Sequence, residues 1–143
     1  MGGNRISVLL VDDNATFLGI ATRFLRGQED IVVVGAVQDR EEALRQAREL
    51  RPDVVLFDSA VTSLPEGLEF VPRLREVLPD TRVIALALLG TDGYRRLALE
   101  AGVDEFVPKA DMGAELLPAI RRLGQNRRAV EQEPSPTETR PER

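Results

Sequence analysis

The chain has 143 residues, 43% hydrophobic and 30% charged, with a net charge of −5, which describes one ordinary globular domain without the basic footprint of a nucleic-acid binder. It contains no Cys and no His, which excludes disulfides, thiolate or imidazole metal ligands, Ser–His and Cys–His catalytic pairs, and any phosphohistidine carried by this chain. No apolar run is long enough to span a bilayer and the N-terminus lacks a signal-peptide pattern, so a cytoplasmic protein without membrane attachment is expected.

The run Ile6-Ser7-Val8-Leu9-Leu10-Val11 reads as a buried strand, and Asp12-Asp13 follows at once. Phe17, Ile20, Ala21, Phe24 and Leu25 then recur at helical spacing up to Gly27, the stop signal. Ile31–Val34 forms a second strand, and Ala43, Leu44, Ala47 and Leu50 line a second helix with Asp39 as N-cap. Pro52 precedes a third strand over Asp53–Phe57, with Asp58 at its end. After a loop of Ser, Thr and Pro, Leu68, Val71, Leu74 and Val77 mark a third helix. A fourth strand over Val83–Leu88, a short helix from Tyr94 to Ala101 ended by Gly102, and a fifth strand over Glu105–Pro108 follow. The last helix carries Leu116, Leu117, Ile120 and Leu123.

Five βα units in series predict a parallel sheet covered by helices on both faces, joined by right-handed crossovers. The folded domain is expected over residues 1–128. Residues 129–143 are rich in Glu, Pro, Ser, Thr and Arg and are expected to form a disordered polar tail, since they bury too little apolar surface to offset chain entropy.

Ligands of such sheets bind beyond the carboxyl ends of the strands, where this chain delivers Asp12, Asp13, Asp58 and Lys109. Alone, Asp12-Asp13 would read as turn and helix-cap residues, and Lys109 as a solvated charge. Together on one edge they make a pocket for a hard cation and an anion. Clustered carboxylates repel one another unless a cation sits among them, and Mg²⁺ suits carboxylates completed by water and phosphate oxygens.

Three segments, Val8-Leu9-Leu10-Val11-Asp12-Asp13-Asn14, Arg51-Pro52-Asp53-Val54-Val55-Leu56-Phe57-Asp58 and Ala101-Gly102-Val103-Asp104-Glu105-Phe106-Val107-Pro108-Lys109-Ala110, resemble the receiver domain of bacterial two-component response regulators over roughly residues 5–126. The resemblance implies a five-stranded, doubly wound, flavodoxin-like (βα)5 fold. It implies that Asp58 is the phosphoacceptor and that Asp13 and Asp58 ligate Mg²⁺ directly. Asp12 would hold a metal-bound water, and the Ala60 carbonyl would supply a further ligand. Lys109 would pair with the phosphoryl oxygens, and Phe106 would be the aromatic that repacks on activation.

This chain departs from the family pattern in three places. Ala87 stands where the family carries a Ser or Thr that contacts the phosphoryl group and couples it to the aromatic. Thr62, with Pro65 and Gly67 further on, replaces the usual spacing of Pro and Gly after the phosphoacceptor. Ala110 follows Lys109 where many members have Pro.

The expected function is a phosphorylation-controlled binding module, not an enzyme, in a stand-alone form because a polar tail rather than a helix-turn-helix domain follows. Its implied partners are a sensor histidine kinase or phosphotransfer protein and a downstream protein effector, with no direct nucleic-acid contact; receivers often pair through the last helices, and the sequence leaves open whether this one forms a homodimer. The first rival is a pseudo-receiver that binds partners without phosphorylation, supported by Ala87. A small aspartyl phosphatase is disfavoured because Ser59-Ala60 offers no general acid beside Asp58, and flavin binding because the first loop lacks a phosphate cradle.

Overall fold

The computed structural model describes residues 5–58, 69–87 and 92–132. Five strands, β1 (Ile6–Val11), β2 (Ile31–Val37), β3 (Val54–Asp58), β4 (Arg82–Ala87) and β5 (Glu105–Pro108), form one sheet in the order β2-β1-β3-β4-β5, with every neighbouring pair parallel. The helices are α1 (Ala15–Arg26), α2 (Arg40–Leu50), α3 (Phe70–Val77), α4 (Asp92–Glu100) and α5 (Met112–Gln132), with a 3₁₀ turn at Lys109–Asp111 before the last. The expected doubly wound sheet is therefore present.

Alternation along the strands explains why they read as continuous apolar runs. Leu9, Val11, Val55, Phe57, Val83, Ala85 and Phe106 join the core packed by α2, α3 and α4, with Phe57 and Phe70 ring centroids 5.3 Å apart. Ile6, Val8, Leu10, Val54, Leu56, Ile84, Leu86 and Val107 point the other way, into the core packed by α1 and α5. Both faces of every central strand are thus buried.

Local chemistry sets the helix ends. Asn14 caps α1, its side chain accepting from the Phe17 N–H, and Asp39 caps α2 by accepting from the Glu42 N–H, as expected. Gly102 ends α4 at φ 110°, a conformation that strains any residue with a Cβ. At the N-terminal end of the sheet, Asp53 accepts hydrogen bonds from the Ser7 N–H (2.9 Å) and hydroxyl (3.2 Å), holding β1 and β3 in the register that aligns their far ends.

Two boundaries differ from expectation by three residues or more. β2 runs on to Val37 because its register against β1 shifts between Val8 and Leu9, and Gly35 lets the Gln46 side chain of α2 approach where a Cβ would lie 2.6 Å from its oxygen. α5 continues to Gln132, so residues 129–132 are helical rather than part of the expected tail. Residues 133–143 lie outside the described residues, as does Leu88, expected at the end of β4.

Gly124 brings α5 against β1: a Cβ there would lie 2.7 Å from Ile6 Cγ2 and 2.8 Å from Cδ1, in a side chain that is itself buried. Gly124→Ala should therefore lower the unfolding free energy by about 1–2 kcal/mol despite the gain in helix propensity, because the overpacking term outweighs it. Denaturant unfolding of Gly124→Ala, with and without Ile6→Val, checks this: the second substitution should recover part of the loss.

Candidate functional site

β1 and β3 are adjacent at the point where the strand order reverses, and their carboxyl ends carry Asp12 and Asp58. β5 is two strands away from β3, so Lys109 must reach across the end of β4. It does: Lys109 Nζ lies 2.9 Å from Asp12 Oδ2 and 2.8 Å from Asp58 Oδ2. The cluster is enclosed, with side-chain exposures of 2% for Asp12, 10% for Asp58 and 16% for Lys109. Lys109 is the chain's single lysine; every other basic side chain is Arg.

Burial pushes the Asp12 carboxyl above its ordinary value, against the lowering pull of the Asn14 N–H at 2.9 Å and of the Lys109 ammonium. Burial acts on Lys109 in the lowering direction, but its hydrogen bonds to Asp58 and Asp12 outweigh that and hold its pKa above the ordinary lysine range. Lys109 is therefore an ammonium at neutral pH, and the Asn14 N–H, followed by that ammonium, opposes the effect of burial on Asp12.

The residues named from sequence divide as follows. Asp12, Asp58 and Lys109 are brought together. Asp13 is exposed beside them, its backbone carbonyl accepting from Gln38 Nε2 at 3.0 Å. Ala87 ends β4, fully buried, in the same core as Ala85, Ala98 and Phe106. Phe106 is 2% exposed, with the Arg95 guanidinium 5.3 Å from its ring centroid. Ala60, Ser59, Thr62, Pro65 and Gly67 lie outside the described residues. Sequence reasoning missed Phe17 and Arg95, whose spacing signals a helix face and nothing more.

Among the described residues no group of three or more acids converges to enclose a metal unaided, since Lys109 stands between Asp12 and Asp58. The donors nonetheless fit Mg²⁺ in kind: two enclosed carboxylate side chains and a third, exposed one on Asp13, all hard oxygens of the type Mg²⁺ takes alongside water and phosphate oxygens.

Comparison with known proteins agrees with this geometry. The family model of the response regulator receiver domain matches residues 8–121. The response regulator protein VraR of Staphylococcus saprophyticus is 33% identical over 129 residues, covering 90% of this chain and 61% of that protein. The response regulator GacA of Pseudomonas viridiflava is 35% identical over 125 residues, covering 87% of this chain and 58% of that one, so the chain spans about three fifths of these relatives. The response regulator domain of Thermotoga maritima CheB superposes with a TM-score of 0.71 at 31% identity, covering 85% of this chain and 97% of that domain. The chain belongs to the receiver-domain family of two-component response regulators.

Proposed function

We propose that this receiver takes a phosphoryl group onto Asp58 and uses the resulting charge to alter its affinity for a protein partner. The observation that carries this reading is the Lys109 ammonium within 2.9 Å of carboxylates from two different strands, at the sheet edge where ligands of this topology bind. A phosphoryl group bonded to Asp58 would arrive beside a cation already held there, a compact point charge suited to phosphate.

In the transfer, an Asp58 carboxylate oxygen attacks phosphorus as the bond to the donor breaks. With acetyl phosphate the P–O bond breaks and its electrons leave on acetate. With a phosphohistidine partner the P–N bond breaks, and the imidazole nitrogen leaves with the pair and takes a proton. The donor histidine lies outside these 143 residues, which contain none. Asp12, Asp13 and Asp58, with the Ala60 carbonyl, are the groups that would hold Mg²⁺, which when bound supplies positive charge to offset carboxylate repulsion of the incoming phosphate. Lys109 holds its proton throughout and meets the phosphoryl oxygens as a fixed positive charge.

The partners of this reading are a histidine kinase or phosphotransfer protein upstream and a protein effector downstream. The cytoplasm is the compartment it implies, and no described helix is long and apolar enough to cross a membrane. The domain acts as a signalling module without turnover of its own, carried by residues 1–128 together with the turn of α5 beyond them.

One observation favours a second reading, a receiver whose output surface is set without phosphate. Phe106 is already buried, in the same core as Ala85, Ala87 and Ala98, and Ala87 has no hydroxyl with which to reach a phosphoryl oxygen. A charge-assisted bond of that kind is worth about 1.5–3 kcal/mol, enough to move a two-state equilibrium at least tenfold. Without it phosphorylation should change partner affinity or oligomeric state little.

Two measurements bear on these readings, and a third tests the electrostatics of the site they share. Intact-mass analysis after acetyl phosphate and Mg²⁺ should show one added phosphate in the wild type and none in Asp58→Asn; labelling of that variant would move the phosphoacceptor elsewhere. The raised pKa of Asp12 means the folded protein holds that proton more tightly than the unfolded chain, so its contribution to metal-free stability falls as pH rises above about 3.8. The unfolding free energy of Asp12→Asn, relative to wild type, should accordingly improve as pH rises through that window, as urea titrations at several pH values would read. Finally, Ala87→Thr should enlarge the phosphorylation-dependent change in partner affinity at least tenfold while Asp58 remains the labelled residue; an equally large change in the wild type would reject the second reading.

A further inference from the structure

Lys109 has three N–H donors, and two of them are directed at Asp12 and Asp58. The remaining side of the ammonium faces an aromatic ring: Nζ lies 4.0 Å from the centroid of Phe17, in the first turn of α1. At that distance the ring's negative face attracts the cation. Phe17 is itself half-buried against the core packed by α1 and α5.

The backbone that carries the ring is fixed by the helix cap. Asp12 Oδ1 accepts from the Asn14 N–H at 2.9 Å, and Asn14 Oδ1 accepts from the Phe17 N–H at 3.0 Å. Asp12 Oδ2 then binds Lys109, whose ammonium returns to the Phe17 ring. The contacts therefore close on themselves: Asp12 to Asn14 to Phe17 to Lys109 to Asp12. A lysine side chain carries four flexible carbons and otherwise gains entropy by swinging into solvent. Within this circuit it is blocked on one side by the ring and bound on the other by two carboxylates.

We propose that Phe17 is a positioning residue for phosphoryl acceptance: its ring, placed by the Asn14 cap, keeps the Lys109 ammonium over the Asp58 carboxylate where an incoming phosphoryl group will need it. The proposal rests on the phosphoacceptor reading of Asp58. Phe17 does not touch the reacting atoms; it acts through Lys109. An aliphatic side chain of similar bulk would fill the same space against the core but offer no attractive face to the cation.

The test uses the fact that Lys109 is the sole lysine, so lysine labelled with ¹³C and ¹⁵N gives a single set of side-chain signals in the full chain. In the wild type the Lys109 ε-methylene protons should lie upfield of those of a free lysine, shifted by the Phe17 ring current. The shift should persist in Phe17→Tyr and vanish in Phe17→Leu. With acetyl phosphate, Phe17→Leu should lose about threefold to tenfold in the maximal labelling rate with little change in the donor concentration at half-rate, and Phe17→Tyr should recover it. Circular dichroism establishes that both variants are folded; should Phe17→Leu fail to fold, Phe17→Met takes its place under the same expectations. An unshifted ε-methylene signal in the wild type, or wild-type labelling by a folded Phe17→Leu, overturns the proposal. If the wild type itself takes no phosphate while the ring-current shift is present in it and lost in Phe17→Leu, the phosphoacceptor reading fails and the role in acceptance falls with it, while the ring's hold on Lys109 stands.

Discussion

Two carboxylates, Asp12 and Asp58, stand at the ends of adjacent strands in an enclosed pocket, and the ammonium of Lys109 bridges them at 2.9 and 2.8 Å. Taking charge out of water is costly, and two like charges raise the cost further, so this arrangement requires a cation from elsewhere in the fold. The cation arrives from β5, 97 residues after Asp12, across the end of β4. Chain topology and site electrostatics are therefore one constraint. The sheet order places the acids side by side, and the crossover from β4 to β5 delivers the lysine that reaches over them.

The choice of lysine follows from the space available. A compact, strongly hydrated point charge with three donors can serve two carboxylates and an aromatic face at once. A guanidinium is a planar fork suited to one carboxylate in bidentate fashion, as Arg121 shows on the surface by gripping Asp30 through Nε and Nη2. Eighteen of the nineteen basic residues are Arg, so the one lysine in the pocket stands apart in composition as well as in place. Farther along the sheet the character is opposite. Phe106 shares an apolar core with Ala85, Ala87 and Ala98, the Arg95 guanidinium lies 5.3 Å from its ring centroid, and position 87 offers no hydroxyl toward Asp58.

Much of this was legible in the amino-acid pattern because burial on both faces leaves strands no choice but to be apolar throughout. β1, β3 and β5, their terminal Asp and Lys residues, and the Asp39 cap all follow from local signals. The rest depended on partners far away in sequence. Asp12-Asp13 suggested a helix cap, yet the cap is Asn14, because Asp12 turns inward to Lys109 and leaves its second oxygen to the Asn14 N–H. β2 outran its expected end at Val34 because Gly35, a breaker by composition, here admits the close approach of α2. α5 outran its expected end because Arg, Ala, Val, Glu and Gln at 128–132 keep good helix propensity even where few of them are apolar. Phe17 read as one more apolar position on α1, and nothing in the spacing of α1 could reveal a cation 92 residues away.

The central claim, that Lys109 holds the two acids together, is tested most directly by a double-mutant cycle of Lys109→Met and Asp58→Asn on unfolding free energy without Mg²⁺. A buried charge-assisted pair predicts a coupling on the order of 1.5–3 kcal/mol, with the double variant more stable than the sum of the single losses implies. Additive single effects, with coupling within about 0.5 kcal/mol of zero, would contradict the account.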